Sequence, residues 1–473
     1  MSKYKPTIGI EIHAQLTTKS KMFCGCDNNS RKAQPNVNIC PVCIALPGTL
    51  PVANKGAIEM AIKLAHGLNA KVATNTSFDR KNYFYPDSPK GYQITQMDQP
   101  IIQKGHVEIL VADQFISIGI HHAHLEEDAG KLIHPEGTDY SLVDFNRAGT
   151  PLVEIVSEPD IKSTEQAKRY LQEVYNIVTS LGVCDGDMQH GNFKFDLNVS
   201  VSNSAELGTR TELKNLNSFR NAERALSYEI NRQIEVLEGG GTIEQETRGW
   251  NDTKAVTFSQ RSKEQANDYR YFPEPDIPPM VLSRELVSSV QSEIKILPIN
   301  VRKELHLLKL SVSEQDILIS QPKTAEIFMS AQARLKSPEL VKQAVNWLVG
   351  DYQAILVKTK KPVLTGGNLA ELITLIEDGT ISSKIAKDIF AEVVAGLKPT
   401  DIVSSKGLKQ LSDNSELELI IKKIILDNPK PAEAYRAGNE RVLGFFVGQA
   451  MQATNGQANP TKVSSLMVKL LKE

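Results

Sequence analysis

Three adjacent carboxylates, Glu126, Glu127 and Asp128, stand in the octamer HLEEDAGK between His124 and Lys131. Like charges a few ångströms apart repel each other, so a chain tolerates such a cluster because water solvates it or because a cation binds it. An acidic triplet in a loop is usually a solvated surface. The octamer alone therefore leaves both a metal site and a solvated loop open.

The cysteines form a second group of residues with metal-binding chemistry. Cys24 and Cys26 make a C-x-C pair, and Cys40 and Cys43 make a C-x-x-C pair thirteen residues later. Two such pairs supply the four thiolates of a tetrahedral Zn²⁺ site, whereas a thioredoxin-like redox role needs only one C-x-x-C. These four residues are predicted to form a structural zinc knuckle, and Cys184 is interpreted as a small buried residue.

Alternating apolar and polar residues predict the strands that position the acids. In PTIGIEIHAQL the alternation places Glu11 and His13 on the polar face of a half-buried strand. FKFDLNVSV repeats the pattern with Asp196 on its polar face. PLVEIV puts Glu154 in the middle of an apolar strand, where an unpaired carboxylate would be costly.

Two further segments add charged groups to strands. In FISIGIHHAHLEED the alternation changes phase near Ala123, and a bulge or strand end there would turn Glu126 towards the polar face. TRTELKNL places Arg210, Glu212 and Lys214 on one side of another strand. Several strands thus each present an acid or a base to a common face.

The segment FDRKNYFYPDSPKGYQ, residues 78–93, carries a basic and aromatic group. If residues 78–85 form a strand, Lys81, Tyr83 and Tyr85 share a face that suits a phosphate and a base. Tyrosines are common in strands and a lysine is easily solvated, so a purely structural interpretation stays open. Together with the acids, the group matches an antiparallel sheet whose wet face binds a polyphosphate and Mg²⁺.

Helices are predicted to cover the dry face. STEQAKRYLQEVYNIVTSLG opens with Ser163 and Gln166 as a capping box and stops at Gly182. NSFRNAERALSYEINRQIEVLEGGG has the same amphipathic form. Strands with interposed helices around an antiparallel sheet predict the α+β class.

From about residue 295 helical stripes replace strand alternation. In the tail, an Asn455-Gly456 turn and an Asn459 cap are expected before a last helix that starts at Pro460. The predicted domains are an N-terminal antiparallel-sheet cradle with flanking helices, 1–294, including the zinc knuckle 24–43, an all-α helical domain, 295–405, and a small all-α tail domain, 406–473.

The composition is that of an ordinary soluble protein, with 473 residues, a net charge of −2 and 41% apolar residues. Nucleic-acid contacts must therefore come from local patches. No apolar run approaches the ~18 residues of a membrane span, and the start lacks a signal-peptide core, so a cytoplasmic location is expected. The motif G-x-x-x-x-G-K-[ST] does not occur, which excludes a P-loop.

Motifs along essentially the whole chain resemble those of the GatB component of the heterotrimeric tRNA-dependent amidotransferases, GatCAB. The resemblance is specific because many separate motifs occur in the same order. They are IGIEIHAQL, CGC with CPVC, ALPGTLPVAN, FDRKNYFYPDSPKGYQ, HLEEDAGK, DFNRAGTPLVEIVSEPD, ELKNLNSF, QETRGW, DYRYFPEPD and GFFVGQAMQATNGQANP.

The resemblance implies a ligase that makes Gln-tRNA(Gln) or Asn-tRNA(Asn) from misacylated Glu-tRNA(Gln) or Asp-tRNA(Asn). In that family the GatB component uses ATP and Mg²⁺ to phosphorylate the side-chain carboxylate, and ammonia then displaces the phosphate. An amidase A subunit releases the ammonia from glutamine, and a small C subunit joins the amidase to GatB. The lack of a Gly-Ser-Ser-type amidase signature in this sequence agrees with that division.

The resemblance also implies roles for individual residues. The implied Mg²⁺ ligands are acids and a histidine of the polar face: Glu11, His13, Glu126 and Glu154, with Glu212 and Asp196 as second choices. For the nucleotide, the resemblance implies that Lys81 neutralises a phosphate and that the rings of Tyr83 and Tyr85 form the walls of the nucleotide site. The implied substrate-orienting residues are Arg147, Lys214 and Arg248.

The sequence departs from the family pattern at three positions. Asn192 stands where the family has Ser or Thr, and Lys194 where it has Arg. A planar bidentate donor is thereby replaced by a point charge, which puts a phosphate-clamping role for Lys194 in doubt. Gln452 follows Met451 where a lysine is frequent, so one backbone contact to tRNA is expected to be missing, which affects affinity and salt dependence.

Two other function classes remain open. A non-catalytic, zinc-containing RNA-binding adaptor would use the cysteines and the helical tail but would not need acids on several strands. A metal-dependent hydrolase of a small phosphoester would use the same acids without tRNA or a partner protein. Substituting Glu126 separates the adaptor from the enzymes, and dependence on tRNA separates the two enzymes.

Overall fold

The computed structural model divides the chain into two units, residues 1–300 and 301–473. In the described part of the chain the first unit contains a large sheet and four helices and the second is helical, so the predicted α+β class is confirmed. The predicted domain joints near residues 294 and 405 stay predictions. The structure describes residues 3–29, 33–262, 269–357, 363–408, 414–454, 458 and 460–472.

An eight-stranded sheet organises the first unit. Its strand order is β13-β12-β11-β10-β1-β9-β6-β5, and every pair is antiparallel except β11 with β12. Smaller sheets join β14-β3-β4, β15-β2 and β7-β8. The strands are β1 Lys5–Gln15, β2 Asn75–Thr76, β3 Asp79–Asn82, β4 Tyr92–Thr95, β5 Gly105–Val111, β6 Gln114–Glu127, β7 Lys131–Ile133, β8 Leu142–Asp144, β9 Pro151–Ser157, β10 Phe193–Ser202, β11 Thr211–Lys214, β12 Glu246–Asn251, β13 Val256–Ser262, β14 Tyr271–Pro273 and β15 Met280–Val281.

The predicted alternation along β1 and β10 is confirmed. Ile8, Ile10 and Ile12 are at most 1% exposed, while Glu11 and His13 on the other face are half-buried. Apolar side chains from one face of the sheet thus enter a single core, and this burial provides the main driving force for its folding. The opposite face keeps the polar side chains together.

The helices that accompany the sheet among the described residues are α1 Lys55–Gly67, α2 Thr164–Ser180, α3 Phe219–Glu238 and α4 Arg284–Ser292. The predicted cap of α2 is confirmed, because the Ser163 side chain accepts a hydrogen bond from the N–H of Gln166. The reciprocal bond of a capping box is absent from this helix, since the Gln166 side-chain carbonyl instead accepts from the N–H of Lys162. Gly182 ends the segment at φ +66°.

The second unit consists of helices joined by short connecting segments. Trp347 and Phe390 pack with their ring centroids 4.5 Å apart. The last helix starts at Pro460, as predicted, while the predicted turn at Asn455-Gly456 and the cap at Asn459 lie outside the described residues. The helices are α5 Pro298–Leu307, which crosses the boundary at residue 300, α6 Val312–Ile319, α7 Pro322–Gln332, α8 Pro338–Val349, α9 Asp351–Leu356, α10 Gly366–Glu377, α11 Ser383–Val394, α12 Pro399–Ser405, α13 Asn414–Asp427, α14 Pro429–Arg436, α15 Leu443–Ala453 and α16 Pro460–Lys472.

Candidate functional site

The phase change predicted in β6 is present. The register between β6 and β9 shifts between Ile120 and His122, so His124 pairs with Glu154 and Glu126 pairs with Leu152. The extra residue rotates the following part of the strand relative to its first half. Glu126 is consequently directed to the polar face of the sheet, where it meets side chains from β9 and β1.

Three of the four predicted Mg²⁺ ligands lie together on this face. The His13 Nε2 atom is 3.1 Å from Glu154 Oε2 and 3.6 Å from Glu126 Oε1. One ligand atom from each of the three residues can be chosen so that all lie within 4.8 Å of one another. Because His13 and Glu154 are cross-strand partners, the antiparallel register of β1 and β9 sets this spacing. We call these three residues the carboxylate–histidine cluster.

The charged groups of the cluster shift the pKa values of its members. Burial disfavours the imidazolium of His13, but the hydrogen bond to Glu154 and the nearby Glu126 carboxylate outweigh burial and raise the pKa of His13 to about 9. Burial raises the pKa of Glu154, whereas His13, His124 and Lys81 lower it, with a net decrease. His13 therefore provides positive charge between the two carboxylates.

His124 also contacts the cluster, which the sequence analysis did not predict. Its Nε2 atom lies 3.6 Å from Glu154 Oε2 and 3.8 Å from Glu126 Oε2. Its buried Nδ1 atom has no hydrogen-bond partner among the described residues. The signal was available in the phase change of β6, which places His124 and Glu126 on the same face two residues apart.

Glu11, the fourth predicted ligand, is on the same face of the sheet. It is not in the group of described residues whose ligand atoms lie within 4.8 Å of one another. Its Oε1 accepts a hydrogen bond from Asn198 Nδ2 at 3.0 Å. Burial, followed by repulsion from Glu154, Asp196 and Glu212, raises the pKa of Glu11. It lines a separate cavity of about 250 Å³ bounded by β1, β9 and β10.

The two second-choice acids are held by one lysine. Lys214 Nζ forms an ion pair with Asp196 and lies 3.1 Å from Glu212 Oε1. Glu212 also accepts a hydrogen bond from the Thr247 hydroxyl at 2.7 Å. Lys214, predicted to orient substrate, thus neutralises acids of β10 and β11 in this structure.

The strand predicted over residues 78–85 is shorter in the structure, so Lys81, Tyr83 and Tyr85 do not share one strand face. β3 ends at Asn82, so Tyr83 and Tyr85 follow the strand; their rings stack with centroids 5.8 Å apart. Lys81 Nζ lies 4.6 Å from the ring centroid of Tyr269, a residue the sequence analysis did not select. Burial lowers the pKa of Lys81, but Glu126 and other nearby groups outweigh burial and raise it.

The other two acids of the triplet, Glu127 and Asp128, form ion pairs outside the cluster. Glu127 forms an ion pair with Lys90 and accepts the N–H of Ile94 at 3.0 Å. Asp128 lies 3.3 Å from Arg147 Nε. The triplet is therefore divided among a cluster and two ion pairs, and the first two carboxylates are buried.

Arg147 and Arg248, both predicted to orient substrate, are engaged with protein groups. Arg147 donates to the carbonyl oxygens of Ala129 and Gly130 at 3.0 and 2.7 Å. Arg248 donates to the hydroxyl and carbonyl oxygens of Thr257 and lies 3.4 Å from the buried carboxylate of Glu229. Neither arginine is among the described residues that line the cavity at the cluster.

That cavity has a volume of about 360 Å³ and joins several of the predicted groups. His13 and Glu126 line it from the large sheet, and Lys81 and Tyr83 line it from β3 and the following loop. Lys194 and Asp196 of β10 form another part of its wall. A pocket of this size with a few convergent charged groups is typical of a small-molecule site.

The four cysteine sulfurs of the predicted zinc knuckle lie within 4.8 Å of one another. A tetrahedral site with Zn–S bonds of about 2.3 Å requires sulfurs roughly 3.8 Å apart, so the donor set fits zinc. Cys43 Sγ accepts the N–H of Cys40 at 3.2 Å and lies 3.7 Å from Lys21 Nζ. A hydrogen bond from the Cys24 thiol is the largest of the effects that lower the pKa of Cys43 to about 4.

Known proteins match this chain over nearly its whole length. The family model described as "GatB/GatE catalytic domain" matches residues 6–288, and the model "GatB domain" matches residues 327–471. The chain belongs to the GatB family. Three relatives are each named as the B component of an "Aspartyl/glutamyl-tRNA(Asn/Gln) amidotransferase": those of Caldanaerobacter subterraneus subsp. tengcongensis (46% identical, 98% of each chain), Thermoanaerobacter sp. strain X514 (47%, 98% of each chain) and Brevibacillus brevis (45%, 100% of this chain and 99% of the relative).

All parts of the candidate site lie within one of the two segments that match the GatB family models. The carboxylate–histidine cluster, the cavity and the four cysteines all lie within residues 6–288, the catalytic-domain match. The predicted membership of this family is therefore confirmed. In the part of the chain that the structure describes, no helix has both the length and the apolar character that crossing a bilayer requires.

Proposed function

We propose that this chain is the GatB component of a tRNA-dependent amidotransferase and activates the side-chain carboxylate of Glu-tRNA(Gln), Asp-tRNA(Asn) or both with ATP. The relatives bear that name over their full length, which supports its role in such a complex. Two members of the carboxylate–histidine cluster, His13 and Glu126, line a cavity together with Lys81 and Tyr83, which supports the ATP-dependent step. That cluster is the observation on which the proposal rests.

The chemistry requires a leaving group on an unreactive carboxylate. A side-chain carboxylate oxygen attacks the γ-phosphorus of ATP, the bond from that phosphorus to the β–γ bridging oxygen breaks, and ADP leaves. Ammonia then attacks the acyl carbon of the acyl phosphate, the carbon–oxygen bond to phosphate breaks, and the nitrogen loses a proton to give the amide. The first step needs positive charge near the transferred phosphoryl group.

The cluster suits a hard cation held by few protein ligands. Mg²⁺ is usually bound by one or two carboxylates together with substrate phosphates, and Glu126 and Glu154 would provide those carboxylates. Mg²⁺, when bound, would neutralise the γ-phosphate. His13 would contribute its neutral imidazole, so binding the cation requires loss of the His13 proton. Lys81 would place an ammonium beside the phosphates, and the stacked Tyr83 and Tyr85 would bound the nucleotide.

The nitrogen source lies outside this chain in the proposed scheme. An amidase A subunit would release ammonia from glutamine, and a small C subunit would hold the amidase and this chain together, which makes the complex a glutamine-dependent ligase forming a C–N bond. Zn²⁺ on the four cysteines would stabilise the loop between β1 and α1 rather than take part in the reaction, because protein thiolates fill all four positions.

The test measures ADP formation by the complete complex with Glu-tRNA(Gln), with uncharged tRNA(Gln) and without tRNA. The proposal predicts that only the misacylated tRNA stimulates ADP formation. Glu126→Gln removes one cluster carboxylate at similar size and should lower this stimulated rate by about 100-fold or more. Glu136→Gln, at an exposed turn of the same unit, is the matched control and should leave the rate unchanged.

The rival classes give different outcomes in the same assay. A zinc-containing RNA-binding adaptor predicts full activity of the complex with Glu126→Gln. A hydrolase of small phosphoesters predicts turnover by the isolated chain without tRNA. Either result would overturn the proposed function.

A further inference from the structure

Lys194 presents an ammonium to the cavity beside the cluster. It lies on β10 directly opposite His13 of β1, and directly opposed residues of an antiparallel pair project from the same face. Lys194 is exposed and lines the cavity together with His13 and Asp196. Its charge is therefore available to a bound molecule in that cavity.

A shaped loop holds the lysine in this position. Gly191 has φ +75°, and a Cβ atom added there would lie 2.6 Å from Lys194 Cε. The Lys194 stem thus lies against the Gly191 backbone, in space that any other residue would fill. Asn192 fixes the same loop, because its Nδ2 atom donates to both carboxylate oxygens of Asp185 at 2.8 and 2.9 Å.

Three lysines line this cavity among the described residues: Lys81, Lys90 and Lys194. Lys90 forms an ion pair with Glu127, and Lys81, which lies over the Tyr269 ring, is the lysine proposed above to face the phosphates. The nearest acid along β10, Asp196, is neutralised by Lys214. Lys194 has no ion-pair partner among the residues that the structure describes. With Lys90 paired and Lys81 assigned to the phosphates, Lys194 is the lysine of this wall that can bind the acceptor.

The strand order places Lys194 and Lys81 on different flanks of the cluster. The cluster extends from His13 on β1 to Glu126 on β6, and β10 borders β1 on the side away from β6. Lys81 lies at the β6 end, because its strand partner Gln93 donates a hydrogen bond to the carbonyl oxygen of Glu127, the last residue of β6. In phosphoryl transfer the attacking and leaving oxygens lie on opposite sides of the phosphorus. With nucleotide at the Lys81 end, the attacking group belongs at the Lys194 end.

We propose that Lys194 binds the side-chain carboxylate of the amino acid carried by the misacylated tRNA and holds it for attack on the γ-phosphate. This inference rests on the proposed function. A monodentate ammonium suits the task, because it can bind one carboxylate oxygen and leave the other free to attack. Lys194 is thus a binding residue for the acceptor.

The test compares Lys194→Met and Lys194→Arg in the complete complex, with ammonium chloride as nitrogen donor so that the amidase is bypassed. Losing a charge-assisted hydrogen bond should lower kcat/KM for Glu-tRNA(Gln) roughly tenfold to a hundredfold in Lys194→Met. KM for ATP should change less than about twofold, and Lys194→Arg should recover part of the loss because it keeps the charge.

Lys254→Met, at an exposed turn of the same unit, is the matched control and should retain wild-type kinetics. The inference fails if Lys194→Met keeps wild-type kcat/KM for Glu-tRNA(Gln), or if the variant raises KM for ATP as much as that for tRNA. Failure of the proposed function is separate, because then the wild-type complex itself shows no ADP formation that depends on misacylated tRNA.

Discussion

The Nε2 atom of His13 lies 3.1 Å from Oε2 of Glu154, and the two residues face each other across adjacent antiparallel strands. This pair links the register of the sheet to its chemistry. A shift of β1 against β9 by one residue would direct His13 into the apolar core and separate it from Glu154. The same hydrogen bonds that stabilise the sheet therefore maintain the spacing of the cluster.

Glu154→Gln tests the cluster as a cation site. The amide keeps the shape of the carboxylate but removes one negative charge, so we expect the Mg²⁺ concentration for half-maximal ADP formation to rise about tenfold or more. The loss should be largest at low Mg²⁺. Glu136→Gln, at an exposed turn, should show the wild-type Mg²⁺ dependence. An unchanged Mg²⁺ requirement in Glu154→Gln would show that this carboxylate is not a ligand.

Local sequence patterns predicted the polar face well. The alternation in β1 placed Glu11 and His13 on one face, and the phase change near Ala123 predicted the bulge that directs Glu126 to the same face. Such patterns succeed because burial of one sheet face imposes a period of two. The spacing of the cysteines was also informative, because the four sulfurs that it pointed to lie within 4.8 Å of one another.

Contacts between segments distant in the chain left no such pattern. Lys81 meets Tyr269 because β14 pairs with β3, and nothing in either segment specifies that pairing. The sequence also did not predict the partner of Asn192, because the hydrogen bond from Asn192 to Asp185 spans an irregular loop. The roles of Arg147 and Arg248 stay predictions; their observed partners are protein groups.

Cys43→Ser tests the zinc knuckle. The alkoxide form of serine is inaccessible near neutral pH and its hydroxyl is a poor zinc ligand, so the metal content per chain should fall from about one to well below one. The melting temperature should fall with it, and chelation of the wild-type protein should cause the same decrease. Cys184→Ala is the control, because this buried cysteine is outside the group of four, and it should retain the metal.

Arg248→Ala separates a structural role from a substrate-orienting one. The Glu229 carboxylate is completely buried beside Arg248, and removing the guanidinium leaves it with Arg232 as its remaining cationic partner in this network. We expect the free energy of unfolding to fall by about 2 kcal/mol. Fluorescence of Trp250 in a Trp347→Phe background would report this loss from the first unit alone.

The control for Arg248→Ala is Lys168→Ala, which breaks the half-exposed ion pair with Glu223 and should cost less than about 1 kcal/mol. A substrate-orienting role would give the opposite result. In that case Arg248→Ala would keep wild-type stability and lower kcat/KM for the misacylated tRNA.

His122 is expected to make stability depend on pH. Burial, followed by repulsion from His124 and His121, lowers the pKa of His122 to about 4. The unfolded chain binds this proton at about pH 6.5, so stability is lost as pH falls from about 6.5 towards 4. His122→Gln cannot take up the proton, and its melting temperature should fall less than that of the wild type between about pH 7 and pH 4.5. His134→Gln, on the exposed surface, should follow the wild-type curve, and parallel curves for wild type and His122→Gln would contradict the prediction.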